Sequence, residues 1–262
     1  MGIAEFYLGF KKPFQYVYAG ESNIDIFKII EGNLTRTKRV ENLNILDLNG
    51  YNFLDIKREL SGVETGIILN SRNFIFNIFE FDKLPINEIR RRDIIEWRLG
   101  KVFPENIDQY KHDYFRLNKK KVLSILFKKS FKDEIENLFE KNNIRLIYIG
   151  NSTIEIFNNL SKRKISSDFF IEIDDKLAVL FFQSNSIPFY IRKFEIEKAS
   201  DLIREILKTI HFVRENHSKE LHSYSIVSDI SDVDSSQIRD KLSTENIKEI
   251  NISNKNNLFL PK

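Results

Sequence analysis

The chain has no cysteine among its 262 residues, and only one methionine, one tryptophan, five prolines and nine glycines. Without cysteine there are no disulfides, no thiolate nucleophile and no cysteine-ligated zinc. No apolar run approaches the roughly 20 residues that cross a bilayer; the longest, residues 177–182, has the length of a strand. The first twenty residues carry Glu5, Lys11, Lys12 and Pro13 where a secretory signal needs a continuous apolar core. The start also lacks the serine or threonine of a myristoylation signal. Neither sign of charge dominates, with 41 basic against 38 acidic residues, so bulk electrostatics give no case for nucleic acid. Gly-x-Ser-x-Gly, Walker and Rossmann signatures are absent.

What is present is a hydrophobic fraction of 42% beside a charged fraction of 30%, the balance of a soluble globular chain able to bury a large core. Strand patterns fill the first fifty residues, with a turn at Glu31-Gly32-Asn33. Helical spacing follows over 51–60, strands over 66–69 and 74–81, and a helix opening at Pro85 and closing at Gly100. Strands are predicted over 109–117 and 122–127, a helix from Phe131, a strand over 145–149, a turn at Gly150 and a helix capped by Ser152. The charged run Ser161-Lys162-Arg163-Lys164 reads as a linker between lobes. Beyond it come strands over 169–173, 177–182 and 189–194. A strongly amphipathic helix follows, carrying Leu202, Ile206, Ile210 and Val213 on one stripe. A strand over 224–227, a helix near 233–242 and a strand over 247–252 complete a two-lobed α/β pattern, and the chain from Asn254 reads as loose.

Two segments repeat a strand, tight tip and strand, each opening half of the chain. The first runs from Tyr16 through Tyr18-Ala19-Gly20-Glu21-Ser22-Asn23 to Phe27, the second from Phe169 through Glu172-Ile173-Asp174-Asp175 to Phe181. This layout resembles an actin-type nucleotide-binding core, a two-lobed RNase H-like fold whose loop tips offer backbone N–H groups to phosphate and whose nearby acids manage magnesium and water. The order of hairpin, inserted strand–helix–strand–strand–helix unit, hairpin, long helix, strand, helix and strand further resembles the actin-like proteins of type IV pilus assembly, the PilM type. The local likeness is carried by Ile94-Ile95-Glu96-Trp97-Arg98-Leu99-Gly100-Lys101-Val102-Phe103-Pro104-Glu105 with Tyr110 and Asp113-Tyr114 after it. The long helix Leu202–Phe212 and the segment Pro188-Phe189-Tyr190-Ile191-Arg192-Lys193-Phe194 also carry it.

The resemblance implies a first lobe over 1–64 and 142–164, an inserted subdomain over 65–141, a second lobe over 165–253 and a tail over 254–262. It also implies a nucleotide cleft at Tyr18, Gly20, Ser22, Asn23, Glu172, Asp174, Ser228 and Asp229, and there the chain departs from the family. Tyr18 stands where an acid belongs, and the turn around Ser228 and Asp229 has no glycine for close approach to a nucleotide. Carboxylates near 4 Å from a phosphate charge cost about 1 kcal/mol each in water and about 4 at an effective dielectric of 20. The cleft is therefore expected to be degenerate, with no catalytic residues, no resident metal and neither ATP nor magnesium as a cofactor.

In this family the insert forms a groove for the cytoplasmic tail of a membrane protein of the PilN type. Arg90, Arg91, Arg92, Trp97, Arg98 and Phe103 are the corresponding partner-binding candidates here, with the arginines suited to carboxylates. Simple solvation of a basic helix face, and core packing of the aromatic pair, account for the same residues in blander terms. The implied role is a cytoplasmic adaptor, peripheral to the inner membrane, that reaches the membrane only through partners, binds no nucleic acid and passes contact to an assembly ATPase or platform protein. The alternatives are the cytoplasmic part of a GspL-type platform protein of type II secretion and a divergent actin-like ATPase; an RNase H-type nuclease lacks a convincing set of carboxylates. His211, His217 and His222 do not share a helical face, and the Ser/Asp-rich run 225–236 lacks the glycine and glutamate of a calcium loop.

Overall fold

Alternating and continuous apolar runs become three sheets in the computed structural model, which describes residues 6–7, 13–20, 22–31, 33–43, 45, 51–103, 107–174, 176–228, 235–250 and 252. The first lobe contains β1 (Phe6–Tyr7), β2 (Gln15–Ala19), β3 (Asn23–Ile30), β4 (Asn33–Glu41), α1 (Tyr51–Leu60) and β5 (Glu64–Leu69). An insert follows, made of β6 (Phe74–Glu80), α2 (Glu88–Val102), β7 (Tyr110–Arg116) and β8 (Lys121–Lys128). The chain returns through α3 (Lys129–Lys141), β9 (Arg145–Asn151) and α4 (Ser152–Lys162). The second lobe holds β10 (Phe169–Asp174), β11 (Leu177–Ser184), β12 (Ile187–Glu195), α5 (Ala199–His217), β13 (Ser223–Ser228), α6 (Ser235–Thr244) and β14 (Lys248–Glu249).

The two large sheets share one plan. In the order β1-β9-β5-β2-β3-β4, β2, β3 and β4 form an antiparallel meander while β5 and β9 add in parallel beside β2. In the order β12-β11-β10-β13-β14, β10, β11 and β12 repeat the meander and β13 and β14 repeat the parallel addition. Both expected hairpins are thus the opening pairs of matching sheets. Every side chain of β10 and nearly all of β11 is buried, as continuous apolar runs require when both faces of a sheet are covered. The amphipathic stripe of α5 supplies Leu202, Ile206, Ile210 and Val213 to the second-lobe core.

The third sheet, β6-β8-β7, is antiparallel and carries α2 over Phe79, Leu84, Tyr114, Val122 and Leu126. It begins at Phe74. The segment from Thr65 that opens the expected insert is β5, hydrogen-bonded between β2 and β9 in the first sheet. Likewise α3 sends Phe131, Ile135 and Phe139 into the first-lobe core.

Local chemistry moves several expected boundaries. Asn87, not Pro85, caps α2 by accepting the N–H of Arg90 at 3.1 Å, and the helix runs past Gly100 to Val102. Asn151, not Ser152, caps α4 through the N–H of Ile154 at 3.2 Å. Gly150 lies inside β9 rather than in a turn, because a Cβ there would come within 2.7 Å of Ile68 and of the Tyr148 ring. The last strand is shorter than expected, covering only Lys248–Glu249. Asp229 and the tail from Asn254 lie outside the described residues.

Candidate functional site

Parallel strands bring their C-terminal ends to one side of a sheet, and that side is where open α/β sheets collect polar groups. Here the ends of β2, β5 and β9 in the first lobe meet the end of β10 in the second. Each first-lobe strand runs into short polar residues: Gly20 after β2, Asn70 and Ser71 after β5, Asn151 to Thr153 around the start of α4. Glu172 and Asp174 project from β10, and both are buried.

These groups bond one another across the seam. The Thr153 hydroxyl donates to Glu172 Oε2, and the hydroxyls of Ser71 and Thr153 lie 2.5 Å apart. Asn151 Nδ2 donates to Ser71 Oγ at 3.0 Å, and Asn70 Nδ2 donates to Asp174 Oδ2 at 2.9 Å. Burial pushes the Glu172 carboxyl up to about 7; the Ser152 and Thr153 hydroxyls beside it oppose that rise and the nearby Asp174 charge adds to it.

The first tip is closed as well. A Cβ on Gly20 would lie 2.3 Å from Asn23 Oδ1 and 3.0 Å from Asp174 Oδ1, so glycine leaves room for the Asn23 side chain and for the Asp174 carboxylate of the second lobe. The Gly20 N–H donates to the Asn23 carbonyl at 2.9 Å, and Asn23 Nδ2 donates to Asp25 Oδ2 at 3.1 Å. Asp25 is buried with Arg36 at 3.6 Å and Arg39 at 3.5 Å.

Among the expected cleft positions, Gly20, Asn23 and Asp174 therefore converge, with Glu172 alongside. Tyr18 is a core residue, paired with Asp25 and Ile68 in the sheet register. Ser22 is half-buried, its carbonyl accepting the Leu43 N–H at 3.0 Å, and Ser228 lies opposite Ile173 at the end of β13.

A second tie crosses the seam nearby. Lys193 Nζ on β12 donates to the carbonyls of Ser71 at 3.0 Å, Arg72 at 2.8 Å and Phe74 at 2.8 Å, and Arg72 pairs with Glu195 at 3.2 Å. Burial, with Arg72 beside it, pulls the Lys193 ammonium below the ordinary lysine range. Asn70, Ser71, Thr153 and Lys193 are absent from the sequence-derived set. The signal that marks the first three is a short polar run at the end of an apolar strand.

Outside the seam, a groove of about 870 Å³ lies where the insert meets α4 and the start of β12. Tyr114, Arg116 and Lys119 line it from the insert, Phe157 and Ser161 from α4, and Pro188 from the start of β12. Among the described residues β7 pairs only with β8, so it is an edge strand beside this groove.

Of the six partner-binding candidates, only Arg91 borders the groove. Its guanidinium is committed to Glu88 at 2.8 Å and to the carbonyls of Pro85 and Ile86, and it lies 5.9 Å from the Tyr114 ring centre. Phe103 packs against the insert's core. Arg90, Arg92, Trp97 and Arg98 are exposed on α2 and lie outside the groove lining. Among the described residues no three His, Asp or Glu side chains are placed to hold a metal ion, and no helix is long and apolar enough to cross a membrane.

No protein-family model matches the chain, and no curated protein matches it. Solved structures do. The cytoplasmic domain of EpsL, an inner-membrane component of the type II secretion system of Vibrio cholerae, aligns with a TM-score of 0.63 at 8% identity, covering 95% of this chain and 93% of that one. A Bacteroides thetaiotaomicron protein of actin-like ATPase fold and unknown function aligns at 0.65 and 11% identity, over 95% and 94%. The PilM–PilN type IV pilus biogenesis complex aligns at 0.69 and 11% identity, over 90% of this chain and 88% of that one. The duplicated sheet plan, the insert between β5 and β9 and these likenesses together establish that the chain has the actin-like fold.

Proposed function

We propose that this protein is a non-enzymatic actin-like adaptor of a type IV pilus assembly machine. It holds the cytoplasmic tail of a PilN-type inner-membrane subunit in the groove between the insert and the two lobes. The observation that carries this reading is an edge strand beside a groove: among the described residues β7 leaves one side open for main-chain pairing, and the groove next to it mixes apolar walls with the exposed cations of Arg116 and Lys119. An extended peptide with a carboxylate and an apolar side chain suits that lining. The fold shared with the PilM–PilN complex supports the choice of partner.

In this reading the seam has become structural. Its carboxylates are already engaged by first-lobe hydroxyls and amides, so they repel phosphate without presenting a magnesium site, and the residues present do not suit ATP. The protein would work at the cytoplasmic face of the inner membrane and pass contact to the assembly ATPase or platform protein. The likeness to the EpsL cytoplasmic domain favours a second reading, a platform component of type II secretion.

Fluorescence polarisation with a labelled PilN-type tail peptide tests the groove. Saturable binding is expected, weakened more than about tenfold by joint Arg116→Glu and Lys119→Glu reversal. No binding, or an affinity indifferent to the reversal, removes the reading.

A further inference from the structure

Helix α2 is held by one face and decorated on the other. Arg91, Ile95 and Leu99, spaced four apart, are its buried residues and account for its packing on the third sheet. At about 100° per residue, Ile89, Ile94 and Trp97 fall on the opposite stripe, with Ile86 just ahead of the first turn. Ile86 is 89% exposed, Ile89 72% and Trp97 61%, and Ile94 is exposed beside them. Most of the exposed large apolar side chains among the described residues lie on or next to this one helix.

By the same rotation Arg90 and Lys101 lie within this surface, and Arg92 and Arg98 lie at its two edges. Arg90, Arg92, Arg98 and Lys101 are all exposed, and Lys101 Nζ lies 5.8 Å from the Trp97 ring centre. Asp93 and Glu96 are the acids that face them, because Glu88 is tied to Arg91 and to the Tyr114 hydroxyl. The cations are in excess.

We infer that the outward face of α2 is a direct contact with an anionic bilayer surface. Trp97 and the isoleucines enter the boundary between headgroups and acyl chains, and the arginines and Lys101 lie among lipid phosphates. Tryptophan and long basic side chains are the residues that such a boundary accommodates, each with an apolar body and a polar or charged end. A protein partner is the poorer fit. The face of one 15-residue helix falls short of the roughly 800 Å² per side of a stable complex, and its apolar side chains are separated by cations instead of forming a pocket.

Asp93 sets the depth. It stands between Ile89 and Trp97 in one four-residue row, and its carboxylate keeps the helix at the headgroup level. The contact is therefore weak and reversible alone, and it adds to any hold exerted through a membrane partner. It does not depend on the groove reading.

Trp97 is the only tryptophan, so its emission reports this face directly. The full chain is mixed with vesicles of phosphatidylcholine alone or of phosphatidylcholine with phosphatidylglycerol. The expected result is a blue shift and quenching by brominated acyl chains only with the anionic vesicles, both reversed by high salt. Joint Arg90→Glu and Arg98→Glu reversal lowers vesicle partitioning by more than about tenfold, and Asp93→Asn raises it. An unshifted Trp97, equal partitioning of the reversed variant, or a blue shift that follows protein concentration without lipid would overturn the inference; the last would mark an interface between copies instead.

Discussion

Glu172 is the residue through which the seam responds to pH. Burial raises its carboxyl from 4.5 to about 7, so between these values the folded chain holds a proton that the unfolded chain has released. Its contribution is complete below pH 4.5, declines as pH rises through 7 and is then lost. Glu172→Gln, which keeps an acceptor for Thr153, should remove this slope and leave the variant more stable than the parent at pH 8, by on the order of 2–3 kcal/mol. Urea melts of both proteins at pH 5 and pH 8 measure it; parallel pH dependences would contradict the assignment.

Lys193 argues at the same scale. Its ammonium serves three carbonyls of the 71–74 segment, and Lys193→Met leaves them short of that donor. A loss of about 2 kcal/mol is expected, read as a lower denaturation midpoint with an unchanged slope. Neither role was legible in the sequence. Asn70 and Asp174 are 104 residues apart, and no local pattern couples positions so distant.

Elements were more readable where their own periodicity decides them. The stripe of α5, the two hairpins and the order of insert elements follow from residues close in sequence. Strand ownership does not. Residues 66–69 read as a strand, yet only pairing with β2 and β9 assigns them to the first sheet instead of the insert. Gly150 shows the same limit: glycine suggests a turn, while the fold uses it for close packing of strand on strand. Gly150→Ala forces a Cβ to 2.7 Å from Ile68 and from Tyr148, whose hydroxyl is bonded to Glu155. The expected cost is about 1–3 kcal/mol, measured by thermal melting; an unchanged midpoint would show that this contact relaxes freely. On α2, apolar spacing identifies the helix, but the same spacing favours the core for Trp97, whereas its side chain is exposed.

At the scale of the molecule, two matching sheets meet with their polar strand ends bonded together, and Lys193 ties the second lobe to the base of the insert. The fold arranges this seam as actin-like proteins arrange a cleft, while its side chains fill the space with their own hydrogen bonds. In the proposed reading, binding then falls to the surfaces that the insert creates. Whether the seam accepts a nucleotide is the question on which the adaptor account turns, and calorimetric titration of ATP with magnesium into the full chain answers it. The account predicts heats of dilution alone up to millimolar nucleotide; a micromolar, magnesium-dependent dissociation constant would contradict it.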